Sequence, residues 1–160
     1  MKLVIVESPS KTHTLKRYLG SEYEIEASKG HVRDLAITGP NGYGVDIEND
    51  FKATYDSSSE KLKTIKNLKE LSKQAEEVIL ATDPDREGEA IAWHIAQILG
   101  LDIETTKRLE FHEITRDSIT EAIKTPRLID MNLVHSQETR RVIDRIIGFD
   151  LSKITKKAIK

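Results

Sequence analysis

Four carboxylates are spaced so that two short turns could gather them. Glu7 follows the apolar run Leu3 to Val6, and Asp83, Asp85 and Glu87 stand at every second position after a second apolar run, Val78 to Ala81. Anions crowded this closely repel one another. A helix N-terminus offsets only about 0.3–1 kcal/mol for each exposed anion, whereas a hard divalent cation offsets far more. Mg²⁺ suits such a set because it takes oxygen ligands, keeps several waters and borrows one or two carboxylates plus a substrate phosphate. The crowding also predicts that one of the four acids holds a proton near neutral pH. A protonated carboxyl beside a metal-bound phosphate is suited to general acid or base catalysis. The Asp83–Glu87 turn has a solvated acidic helix cap as its alternative, and Glu7 alone would read better as an exposed acid in a strand-to-helix turn; it is the pair that favours chemistry.

The elements that must hold these residues follow from spacing. Leu3 to Val6 is apolar at every position, as an interior strand of a parallel sheet requires. Ser8 and Pro9 then open a helix that runs to about Leu19 and stops at Gly20. Pro84 ends the second strand, places Asp83 and Asp85 in the connecting turn and leaves Glu87 in the first turn of a helix whose apolar face is Ile91, Ile95, Ile98 and Leu99. Gly88 in that turn is expected to admit a phosphate backbone closely. Between these units, Tyr23 to Ala27 alternates as a strand with one wetter face, and Gly30 then leaves His31 and Arg33 on a turn. Residues 36–50, with Pro40 and several glycines, read as a long loop or a small excursion on the surface, expected to be mobile. Leu62, Ile65, Leu68 and Leu71 mark an amphipathic helix over 57–75. A further strand is expected from Arg108 to Phe111, and a helix capped by Thr115 runs to Lys124 before Pro126.

Alternating strands and helices up to residue 124 imply an α/β fold, a parallel sheet with helices on both faces. Its strands would deliver Glu7 and the 83–87 turn to one edge, where ligands bind in such sheets. Two domains are expected: 1–124, and a truncated beginning of a helical domain over 125–160. In the second, 131–147 reads as one helix ended by Gly148, with Arg140, Arg141 and Arg145 free for an anion, and a further helical piece runs from Leu151 to Ile159.

Composition sets bounds on function. Of 160 residues 38% are hydrophobic and 32% charged, which fits a globular protein and excludes a disordered one. The absence of cysteine excludes a disulfide framework and a thiolate zinc site. No apolar run is long enough to span a bilayer and no signal peptide is evident, so a cytoplasmic protein without a membrane partner is expected. The net charge of −2 hides an asymmetry: residues 139–160 carry seven Lys or Arg against two Asp, a net +5, leaving −7 on the preceding 138. An acidic body with a basic end suggests a metal site in one part and a polyanion contact in the other.

Val-Ile-Val-Glu-Ser-Pro-Ser-Lys at 4–11, Ser-Lys-Gly-His-Val-Arg-Asp-Leu at 28–35 and Ala-Thr-Asp-Pro-Asp-Arg-Glu-Gly-Glu-Ala-Ile-Ala-Trp-His at 81–94 together resemble the Toprim domain of type IA DNA topoisomerases. Phe-His-Glu-Ile-Thr at 111–115 and the Arg-Arg helix segment at 137–149 continue the resemblance, and the wording is that of the bacterial topoisomerase I branch. The resemblance implies a Rossmann-like Toprim sheet. It also implies an ATP-independent, Mg²⁺-dependent isomerase of the bacterial cytoplasm and nucleoid. Such an enzyme cuts a single strand of negatively supercoiled DNA, passes the other strand and reseals. By the same resemblance Asp83, Asp85 and Glu87 are the metal triad, and Glu7 is the acid beside the scissile phosphate and an occasional metal ligand. Lys11 supports the transition state, His31 lies near the phosphate, Arg86 lies within the triad motif, and Arg140, Arg141 and Arg145 line the single-strand groove. The family's nucleophilic tyrosine has no match among Tyr18, Tyr23, Tyr43 and Tyr55. The chain therefore reads as an N-terminal fragment, inactive alone, whose partners are DNA and the remaining domains of the same polypeptide. The competing readings are another Toprim phosphoryl-transfer enzyme, such as a primase or nuclease, and a non-catalytic binding module. An ATPase is disfavoured because no phosphate-binding Gly-x-x-x-x-Gly-Lys loop is present.

Overall fold

The strand of four apolar residues does lie inside a sheet. The structure, a computed structural model, describes residues 1–158. It places β1 (Lys2–Val6) between β2 (Tyr23–Ala27) and β7 (Glu77–Leu80), with β8 (Lys107–Arg108) outside β7, in the order β2-β1-β7-β8 and all parallel. Successive β1 side chains point to opposite faces, and both faces are covered. Leu3 and Ile5 pack with Ile65, Leu68, Ile91 and Ile95 of helices α2 (Ser59–Gln74) and α3 (Arg86–Leu99). Val4 and Val6 pack with Leu15, Ile119 and Ala122 of α1 (Pro9–Leu19) and α4 (Arg116–Lys124). All four of these β1 residues are fully buried. The helix starts follow their caps, Ser8 for α1 and Thr115 for α4, each accepting from a backbone amide of the first turn.

Three expectations change. The 36–50 loop is not featureless: it belongs to a small lobe of two antiparallel ladders, β3 (Asp34–Leu35) with β6 (Tyr55–Asp56) and β4 (Val45–Asp46) with β5 (Lys52–Ala53). The lobe has its own core of Leu35, Tyr43 and Val45 against Val142, Ile146 and Phe149. Gly44 makes the lobe possible: its φ is +67°, and a Cβ there would stand 2.0 Å from the carbonyl oxygen of Ala36. The strand expected over 108–111 is shorter: β8 pairs with β7 through Lys107 and Arg108, the Leu109 amide donates to the Leu80 carbonyl, and on its other side Arg108 exchanges backbone hydrogen bonds with Arg127. That bridge, with Ile129 and Val134 in the main core, ties the segment after residue 124 to the sheet.

The third change is at Gly148. Helix α5 runs unbroken from Met131 to Ala158, through the expected stop; the expected end at Ile159 lies outside the described residues. A glycine inside a helix weakens it without ending it, and here the lobe core on Val142, Ile146 and Phe149 holds the helix on both sides of the position. A Cβ at Gly148 would meet nothing within 4 Å. Gly148→Ala should therefore stabilise the chain by about 0.5–1 kcal/mol, read as a higher urea midpoint; an unchanged or lower midpoint would contradict a continuous α5. Among the described residues no helix is long and apolar enough to cross a membrane.

Candidate active site at the carboxyl edge of the sheet

From β1 the chain turns to one side to build β2 and later returns on the other side to build β7. The strand order therefore reverses between β1 and β7, and a crevice opens outside their carboxyl ends. Glu7 leaves β1 at that crevice, and the acidic turn leaves β7 beside it, with Ile5 paired to Leu80. Asp85 caps α3, accepting from the Gly88 amide at 2.6 Å. Gly88 is required by the turn itself: a Cβ there would lie 2.1 Å from the Asp83 carbonyl oxygen. That space is filled by the chain's own backbone, so Gly88 closes the turn and leaves no opening there for the expected phosphate approach.

The electrostatics single out Glu7. Burial pushes its carboxyl above the ordinary range; Lys11 opposes this, and Asp85 and Glu87 add to it. The Lys11 ammonium pairs with Asp83, and His31 Nε2 lies 3.2 Å from Glu87 Oε1. Each acid of the triad thus faces a different partner, and no group of three His, Asp or Glu side chains among the described residues is arranged to hold a metal ion. The donor chemistry nevertheless fits a hard cation. All candidates are carboxylates, and Asp85 and Glu87 are exposed at the edge, as an ion that keeps most of its waters requires.

The three arginines of α5 divide. Arg140 is exposed, with only a 3.7 Å contact to Asp144, and lines a cleft of about 380 Å³ with Arg86, Asp85, Glu87 and Gln137. Arg141 forks onto the Asp34 carboxylate. Arg145 donates to the carbonyls of Leu35 at 2.8 Å, Ala36 at 3.0 Å and Tyr43 at 3.3 Å. The tyrosines are all committed away from Glu7: Tyr18 and Tyr23 pack into the α1 and α4 face, Tyr43 donates to Asp150, and Tyr55 donates to Glu138.

Two polar clusters escaped the sequence reading. Beneath the acidic turn, Glu89 and Arg108 are each fully buried. Glu89 accepts from Arg108, Arg127 and the Asp130 amide. Burial alone would raise its carboxyl, but these partners outweigh burial and hold it below the ordinary range. The available signal was position: Glu89 lies three residues before Ala92 and seven before Ala96 on the core-facing side of α3, where a charge demands a partner. The second cluster joins α3, the lobe and α5. Arg33 Nε donates to His94 Nδ1 at 2.6 Å, His94 Nε2 faces Glu138 Oε1 at 3.2 Å, and Tyr55 donates to the other Glu138 oxygen. The Arg33 guanidinium stacks on Tyr55 and Trp93.

Burial holds the His94 imidazole below its ordinary range against the pull of Glu138, while Arg33 and His31 push the same way as burial. Protonation would also set an Nδ1–H against the Arg33 donor. The folded chain therefore binds this proton less readily than the unfolded chain does. The corresponding stability is present above about pH 6.5, the unfolded value, and is lost as pH falls through the depressed folded value. Thermal melts between pH 8 and 5 should show Tm falling at the acid end, with a slope of at most about 1.4 kcal/mol per pH unit from this one group. His94→Gln should flatten that slope; an equal slope in both proteins would contradict the assignment.

Comparison with known proteins places the chain in a family and matches its fold. The Toprim domain family model matches residues 2–114. The chain is 47% identical, over 99% of its length, to DNA topoisomerase 1 of Synechococcus elongatus, and spans 19% of that protein. Its fold is similar to the structure of full-length topoisomerase I from Thermotoga maritima, with a TM-score of 0.87 and 45% identity. That match covers 95% of this chain and 25% of the other.

Proposed function

Because this chain belongs to the Toprim domain family, we propose that its acidic edge is one half of the active site of a type IA DNA topoisomerase, the other half lying on further domains of the same polypeptide. The observation that carries the reading is the placement of Glu7 and the Asp83–Glu87 turn on adjacent strands at the sheet's switch point. A relative it matches by sequence and one it matches by fold are both topoisomerases.

In this reading a single strand of negatively supercoiled DNA lies over the edge. Its phosphates run past Arg86 and Arg140, and Arg141 and Arg145 fix the helix and lobe that wall the groove. Asp83, Asp85 and Glu87, with Glu7 beside them, would hold Mg²⁺, which when bound supplies charge stabilisation to the reacting phosphate. Glu7, whose carboxyl burial raises, is the proton donor. As the tyrosine oxygen bonds to phosphorus it gives up its phenolic proton to solvent water, the P–O3′ bond breaks, and the Glu7 proton passes to the departing 3′ oxygen; resealing reverses each transfer. Lys11 and His31 stand close enough to Glu7 to influence its charge and are assigned to the scissile phosphate. The division into a Toprim unit over 1–124 and a DNA-gripping helical unit from 125 is part of the proposal, as is a cytoplasmic, nucleoid-associated location.

A single-stranded oligonucleotide labelled at its 3′ end tests the reading. With Mg²⁺, a covalent protein–DNA adduct should form only when the remaining domains of a type IA topoisomerase are supplied, and the label should reside on that second polypeptide. Nicking by this chain alone would instead favour a Toprim nuclease.

A further inference from the structure

Among the described residues, the side chain that donates the most hydrogen bonds is one the proposed chemistry does not use. Arg108 is fully buried. Its Nη1 donates to the carbonyls of Thr82 at 2.7 Å and Leu109 at 2.8 Å, its Nη2 to the carbonyl of Asp83 at 2.7 Å, and its Nε to Glu89 at 3.3 Å. Two of these acceptors are successive peptide carbonyls at the mouth of the acidic turn. Gripping both fixes the two peptide planes that flank the Asp83 Cα, Thr82–Asp83 and Asp83–Pro84, and with them the direction in which the Asp83 side chain leaves the backbone. The Thr82 hydroxyl, donating to the Gly88 carbonyl at 2.6 Å, and the Asp85 cap close the turn from the other side. Glu89, the counterion of Arg108, also accepts from the amide of Asp130, one residue before α5. One buried pair therefore spans the acidic turn and the root of the helix that carries Arg140.

Stability alone does not call for this arrangement. Apolar residues of similar volume often serve a core as well as a buried ion pair does, or better. What they cannot do is hold two consecutive carbonyls in a planar fork, and lysine, with a single amine, cannot reach all four acceptors together. We infer that Arg108 is a positioning residue for the divalent-cation site: it presets the acidic turn, acting through the Thr82 and Asp83 carbonyls and touching neither cation nor DNA. The inference rests on the reading of Asp83, Asp85 and Glu87 as cation ligands, and removing groups that orient ligands typically weakens metal affinity about 10–100-fold.

Calorimetric titration of the chain with Mn²⁺, alongside a circular dichroism melt, separates the possibilities. Wild type should bind, an Asp83→Asn, Asp85→Asn double variant should not, and Arg108→Lys should fold yet bind about tenfold or more weakly. Absent binding in wild type would overturn the cation-site reading itself. Binding in wild type with equal affinity in a folded Arg108→Lys would overturn the positioning role alone. If Arg108→Lys does not fold, the wild-type protein still decides. The nuclear magnetic resonance signal of the buried Arg108 Nε–H should shift with added Mg²⁺ on the same curve as the heat of a matching Mg²⁺ titration, and a signal unmoved at saturation would overturn the inference.

Discussion

Replacing Glu89 with leucine should cost the chain about 3–5 kcal/mol of stability, measured as a loss in the urea unfolding free energy. The side chain is fully buried and answers two arginines. Arg127 is about a third exposed and also pairs with Glu110, so it can turn to water when Glu89 is lost. Arg108 has no such exit, and its charge would remain in the core with only carbonyl partners. A loss of this size is a large part of the 5–15 kcal/mol that holds a typical domain together. Arg127→Ala should accordingly cost clearly less than Glu89→Leu, and adding Arg108→Met to Glu89→Leu should recover part of the loss by removing the stranded charge. Equal costs for Glu89→Leu and Arg127→Ala would show that Arg108 does not depend on Glu89.

Glu7→Gln has the opposite profile. In an enzyme assembled with the remaining domains of a type IA topoisomerase it should reduce DNA cleavage and relaxation by about 10²–10⁴-fold, the range for removing a positioned general acid. Folding should be unharmed. Burial and the neighbouring Asp85 and Glu87 raise the Glu7 carboxyl in the folded state. Its contribution to stability is thus full at acid pH, below the unfolded value, and is lost as pH rises through the raised folded value. Glutamine mimics the protonated carboxyl at every pH, so the Glu7→Gln chain should melt at the same temperature as wild type or slightly above it near pH 7. The gain should be on the scale of a like-charge surface pair, about 0.2–0.5 kcal/mol. Full relaxation by the Glu7→Gln enzyme would remove Glu7 from the proton transfer.

The contrast between these residues shows what the amino-acid order makes legible. Glu7 and the Asp83–Glu87 turn are readable because apolar runs, a proline and caps mark where each strand must stop, and a parallel sheet brings its strand ends to one edge. β1, β2, α1, α3 and α4 follow the same signals. Glu89 and Arg108 are unreadable as a pair, because 19 positions separate them and only the pairing of β7 with β8 brings them together. The lobe escapes for a different reason: its strands are two residues long, too short to show a period, and its order comes from α5 packing against Leu35, Tyr43 and Val45. Gly148 shows tertiary contact overriding a local stop signal, since Phe149 and the lobe hold α5 together where propensity alone favours an end. Arg141 and Arg145 look alike in sequence to Arg140, yet the lobe draws both into its own contacts with Asp34 and three carbonyls.

Relaxation of negatively supercoiled plasmid with Mg²⁺ and without ATP probes the whole proposal at once. None of the four tyrosines stands beside Glu7, and attack on phosphorus requires a nucleophile held within about 3–3.5 Å. The 160-residue chain alone should therefore leave the plasmid supercoiled, as should the complementing tyrosine-bearing domains alone, while the two together should yield a ladder of relaxed topoisomers. Relaxation by this chain alone, or a mixture that stays inactive although both polypeptides are folded and bound to each other, would contradict the assignment of the acidic edge as half of a topoisomerase active site.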